Sequence, residues 1–80
     1  MNPFVQWRER HGLTRREVAL LGRLNYGQVA ATELGLVLRP NRGMLQVVES
    51  MDGAGVAVQL EGAYTAWRES EATALAAQLK

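Results

Sequence analysis

Two helix starts lie only eleven residues apart in this chain, and that spacing limits its fold more than any other feature. Thr14 can cap a helix while Glu17, three residues on, reaches back to the cap N–H; Leu13 and Val18 occupy the two positions of a hydrophobic staple. The pattern recurs as Leu24-Asn25-Tyr26-Gly27-Gln28-Val29, where Asn25 caps, Gln28 answers it and Leu24 can staple to Val29. Such spacing leaves room for about two helical turns and a tight connection. It predicts a helix-turn-helix unit, not a long helical hairpin.

The remaining punctuation fills in an all-α chain. Asn2 before Pro3 is an N-cap with proline at the first helical position, and Gly12 can close that helix in the left-handed conformation. A first helix is therefore expected over about 3–11, with Phe4 and Trp7 at helical spacing. The second is expected over about 15–21, burying Val18, Leu21 and Ala19 and ending at Gly22. The third should run 26–34, burying Val29 and Leu34, with Gly35 as its stop. Pro40 pushes Arg39 out of the helical region, so 36–40 reads as a loop. Asn41 can cap a fourth helix over 42–51 with Met44, Leu45, Val48 and Met51 on one face, and 52–55 reads as a break. Beyond it, Val56, Val58 and Leu60 alternate as a short strand would. Yet Val56, Leu60, Ala63, Tyr64 and Trp67 also fit one helix face, and no partner strand exists, so helix is expected from about 57 to 78, with a break at Ser70 left open.

Composition narrows the class. Eighty residues suffice for a single core only, and with no cysteine and one histidine neither disulfides nor the usual metal sites can staple it. An apolar fraction of 48% beside 21% charged residues is globular. The absence of a long apolar run or a signal-peptide pattern points to a cytoplasmic chain with no membrane partner. The net charge of +1 hides an asymmetry: residues 1–43 carry seven arginines against three glutamates, a formal +4, whereas residues 44–80 carry −3. One surface for a phosphate backbone is one reading of that split; an ordinary mixed surface is the other.

Residues 3–51 resemble the Cro/cI (XRE-type) helix-turn-helix domain of phage repressors and small bacterial regulators. The matching residues are Gly12-Leu13-Thr14, Glu17-Val18-Ala19, Leu21, Leu24, Val29, Glu33 and Gly35, in one ungapped register covering about 60% of the chain. The resemblance implies a four-helix DNA-binding domain over 1–52; residues 53–80 have no counterpart in it and are expected, from their own pattern, to form a C-terminal helical extension that dimerises or caps the core. It places the third helix in a major groove with Tyr26, Gly27, Gln28 and Ala31 toward the bases. It implies phosphate contacts from Arg15 and Arg16, at a helix start where cations oppose the dipole, and from Arg23, Arg39, Asn41 and Arg42. Arg8 would pair with Glu33 to tie the first helix to the third, and loss of one partner of a buried pair would cost ~3–5 kcal/mol. Alternatives stay open at several positions. Gln28 also serves as box partner of Asn25, Tyr26 could simply pack on the turn, and Arg15 and Arg16 could be plain solvated side chains. The chain departs from the pattern at Gly22 and Arg23, so either the turn shifts by one residue or Arg23 goes left-handed.

No constellation for catalysis stands out. His11 has no ligand or relay partner in the sequence and reads as a helix-end residue, Glu69 and Glu71 point apart on a helix, and Gly53-x-Gly55 lacks the context of a nucleotide loop. The chain is therefore expected to be no enzyme and to need no cofactor. The last helix carries an apolar stripe, with Tyr64, Trp67, Leu75 and Leu79 as candidates for a homodimer interface, although Tyr64 and Trp67 could equally cap the chain's own core. The resulting expectation is a sequence-specific transcriptional regulator, a repressor acting on double-stranded DNA as a homodimer. The alternative is a protein-interaction module on the same fold, because the third helix offers Gly27, Ala30 and Ala31 where strong base readers carry polar side chains.

Overall fold

A computed structural model describes residues 1–79, and these form five helices with no strand among them: α1 (Pro3–Arg10), α2 (Arg15–Gly22), α3 (Tyr26–Glu33), α4 (Arg42–Asp52) and α5 (Ala54–Gln78). No helix of the described residues is long and apolar enough to cross a membrane.

Each of the first four helices begins on the side chain expected to cap it. Asn2 accepts from Phe4 N–H and Asn41 from Gly43 N–H. Both complete capping boxes form: Thr14 with Glu17, and Asn25 with Gln28. The Thr14 backbone N–H donates to the Glu17 carboxylate, which holds that carboxyl below its ordinary pKa. The first three helices end alike, with an amide two residues past the last turn donating to a carbonyl five residues back: Leu13 to Arg8, Leu24 to Ala19, Leu36 to Ala31. Such an ending requires a left-handed residue. Gly12 and Gly35 supply it at φ +66° and +75°, and Arg23 supplies it at φ 55°, ψ 44°.

Gly22, expected to end α2, is instead its last helical residue. A Cβ there would stand 2.9 Å from the Gly43 carbonyl oxygen, and one on Gly43 would stand 2.5 Å from that of Gly22. These two glycines let the end of α2 and the start of α4 meet backbone to backbone, so the turn passes to Arg23.

The core gathers Phe4, Trp7, Val18, Ala19, Val29, Met44, Val47, Val48, Ala57, Leu60 and Tyr64. Three expected core residues are not in it: Leu21, Leu34 and Met51 are exposed. Leu21 lies on the flank of α2 beside a surface groove, since the inward face is used by Val18, Ala19 and Gly22. Leu34 follows Glu33, which takes the inward position at helical spacing from Val29 and leaves Leu34 turned out. On α4, Val47 is buried where Met51 was expected.

The break at 52–55 shrinks to Gly53, at φ 95°. Residues 56–60 are helical, and α5 runs unbroken through Ser70. Tyr64 is wholly buried edge-on to Phe4, and its hydroxyl donates to the Val37 carbonyl at 2.6 Å. Burial pushes that hydroxyl's pKa up, so it remains a donor.

Candidate nucleic-acid interface

Glu33 anchors the surface in question. Its carboxylate is fully buried and accepts from Arg8 Nε at 2.6 Å, from a second Arg8 nitrogen at 3.1 Å and from Arg15 Nε at 2.8 Å. The Arg8–Glu33 pair expected from the sequence is present, and it joins α1 to α3. Arg15 was expected among the phosphate contacts, but the carboxylate already holds it and ties α2 to the same point. Hydrogen bonds to the Tyr26 hydroxyl (a long 3.4 Å) and to Glu33 raise the Arg15 pKa, so its charge is permanent. Two guanidinium groups around one buried carboxylate leave this knot, at the C-terminal end of α3, with an excess positive charge, and Arg15 extends from it toward Tyr26 at the helix start.

Outward from the knot, the residues singled out for base contact and for phosphate contact come together in part. Gly27, Gln28 and Ala31 of α3 line one side of a notch of about 370 Å³, and Arg39 and Asn41 line the other. Tyr26 and Gln28 are exposed at the first turn of α3. The Gln28 side-chain oxygen accepts from Asn25 N–H at 2.9 Å, so its capping role is in use. Its two amide N–H donors are uncommitted, and the oxygen keeps one lone pair. Asn41 likewise spends its side-chain oxygen on Gly43 N–H. Arg16, Arg23 and Arg42 are exposed, with Arg16 in the first turn of α2 and Arg42 in that of α4.

The candidates for a dimer interface separate into two groups. Tyr64 is sealed within its own chain and cannot meet a partner. Trp67 is half-buried, with its ring filling the space where a Cβ on Gly35 would sit, at 2.6 Å. Leu75 and Leu79 are exposed.

Sequence reasoning missed three ties. The Asn2 side chain, besides capping α1, donates to the carbonyls of Thr32 and Glu33 at 2.9 and 3.0 Å. Arg68 donates to the Gly35 carbonyl at 2.9 Å. Both ties satisfy acceptors at or beyond the C-terminal end of α3, and no local pattern announces contacts some thirty residues apart. The third tie joins Trp7 Nε1 and His11 Nε2 to one Asp52 oxygen, at 2.7 and 2.8 Å, so His11 is a helix-end residue with a partner. Among the described residues no group of three or more acidic, histidine or cysteine side chains could hold a metal.

The described residues define an all-α protein. Compared with models of protein families, with curated proteins and with solved structures, the chain has no match in any of the three.

Proposed function

We propose that this chain is a DNA-binding transcriptional regulator of the Cro/cI helix-turn-helix kind, a repressor that lays α3 in the major groove of an operator. The single observation that carries this reading is the notch in which Gly27, Gln28 and Ala31 face Arg39 and Asn41. A protein that reads a duplex needs groups that can reach base edges beside groups that hold the backbone. Exposed Arg16, Arg23 and Arg42 extend the basic surface to the starts of α2 and α4, and N–H groups at the α4 start favour an anion further. Arg8 and Arg15, held by Glu33, fix the recognition helix and lend it positive potential. The free Gln28 amide N–H groups can donate to thymine O4, guanine O6 or a purine N7.

The test is fluorescence anisotropy on duplexes selected from a random pool. Affinity should fall with salt at a log–log slope of about −0.9 per phosphate neutralised. Arg16→Ala with Arg42→Ala should flatten that slope by about two while leaving helicity intact. Arg15 is unsuitable for this purpose, because its removal would also loosen the Glu33 knot. No enrichment of any sequence, or a slope near zero, would overturn the proposal.

One observation favours a second reading, a protein-interaction module on the same fold. The outward side of α3 offers little beyond Tyr26 and Gln28, and the Gln28 oxygen is already engaged. That reading predicts no duplex binding by the wild type, with the same arginine substitutions abolishing capture of a protein partner instead.

A further inference from the structure

We propose that the notch between α3 and the loop after it reads one thymine of the operator: its apolar wall receives the 5-methyl group, and the Gln28 amide donates to O4 of the same base. This deepens the regulator reading and rests on it, since it names the base that the recognition helix selects.

The polar atoms around the notch are committed in one sense. Asn25, Gln28 and Asn41 each use the side-chain oxygen as the acceptor of a cap, from Gln28 N–H, Asn25 N–H and Gly43 N–H in turn. The Thr32 hydroxyl donates to the Gln28 carbonyl at 3.3 Å, so it too is spent within α3. What stays uncommitted at the rim is a set of amide hydrogens, with a single lone pair on each engaged oxygen. Exposed Arg39 adds further donors, and no carboxylate lines the notch among the described residues. The rim therefore favours an acceptor over a donor.

Between those donors the lining is apolar, since Gly27, Ala31 and Val37 contribute no polar side-chain atom. Nothing in the backbone asks for a glycine at position 27. The residue is helical, and a Cβ there would meet only Asn25 Oδ1, at 3.3 Å. Its bareness opens the wall of the notch at the exposed first turn of α3, where a base edge can come close.

Among the four bases only thymine answers both features. Its major-groove edge sets the O4 acceptor beside the C5 methyl, whereas guanine has acceptors and no methyl, and adenine and cytosine present an amino donor and no methyl. A backbone phosphate would satisfy the donors but would set a charge against the apolar wall.

The test uses the full chain and the duplex enriched from the random pool, read by fluorescence anisotropy. Each thymine is replaced in turn by deoxyuridine, which lacks only the methyl group, so this series needs no altered protein. At one position the affinity should fall about fourfold, the worth of one buried methyl. Cytosine at that position should bind more weakly than thymine, and 5-methylcytosine should bind about fourfold better than cytosine, because the methyl returns and the acceptor does not. Gln28→Glu keeps an oxygen for Asn25 N–H, so the cap survives, but it turns the donor into an acceptor. Its order of preference should reverse, with 5-methylcytosine bound better than thymine, whatever the added charge costs overall. A duplex bound with the expected salt dependence yet indifferent to every deoxyuridine overturns this assignment and leaves DNA binding standing; so does a folded Gln28→Glu chain that still prefers thymine. Failure to enrich any duplex overturns the regulator reading and this assignment with it.

Discussion

Asn2 shows how much one side chain near the start of the chain can hold. An ordinary N-cap asparagine is interchangeable with aspartate, because only the oxygen is used. Here the amide nitrogen is used as well, on the carbonyls of Thr32 and Glu33. Asn2→Asp keeps the cap, loses both donated bonds and sets a carboxylate against the negative end of α3. It is expected to destabilise the chain by about 1–3 kcal/mol, as much as Asn2→Ala, in urea denaturation. A near-neutral Asn2→Asp would show that the cap alone matters. Glu33 illustrates the converse, a charge made tolerable inside by two arginines.

The helices carry their own predictions at their ends. Of the three left-handed endings, the one closing α2 uses Arg23, the only non-glycine residue at positive φ among those described. Left-handed geometry costs a side chain of that kind roughly 1–2 kcal/mol, part of which glycine returns as entropy of the unfolded chain. Arg23→Gly should therefore stabilise the protein by about 0.5–1 kcal/mol, seen as a melting rise of several degrees, while weakening duplex binding if Arg23 touches a phosphate. A fall in melting temperature would mean that the arginine side chain contributes more than its backbone costs. Such an exchange, a less favourable turn kept for a surface cation, is what the proposed function would explain.

At the scale of the whole molecule, the ends of α1 and α4 are closed together by Trp7, His11 and Asp52. Hydrogen bonds from Trp7, then from His11, hold the Asp52 carboxyl below its ordinary pKa. A carboxylate depressed in the folded chain adds stability above the unfolded value, and loses it as pH falls through the folded one. Wild type should therefore melt above Asp52→Asn at neutral pH, and the gap should close well below pH 4. Glu17, depressed by its capping box, adds to the same acid-side loss. A gap that persisted at pH 2 would remove Asp52 from the account.

Local signals determined a good deal here. The caps at Asn2, Thr14, Asn25 and Asn41 and the stops at Gly12 and Gly35 are short-range chemistry, and they set four helices to within a residue or two. The pairing of Arg8 with Glu33 was legible only through the resemblance to a known motif. Whether Leu21, Leu34 or Met51 would be buried was not legible, because an apolar residue at a plausible spacing carries no mark of what stands opposite it. The roles of Gly22 and Gly43 belong to the fold for the same reason, since only the meeting of α2 with α4 removes the room for a side chain. Periodicity at 56–60 fits strand and helix alike; the lack of a partner strand favours helix, and the helix found there buries Ala57 and Leu60. Sequence thus determined where helices start and stop, through contacts within a turn. Tertiary structure decided which faces are covered, because burial depends on what distant segments bring to each face.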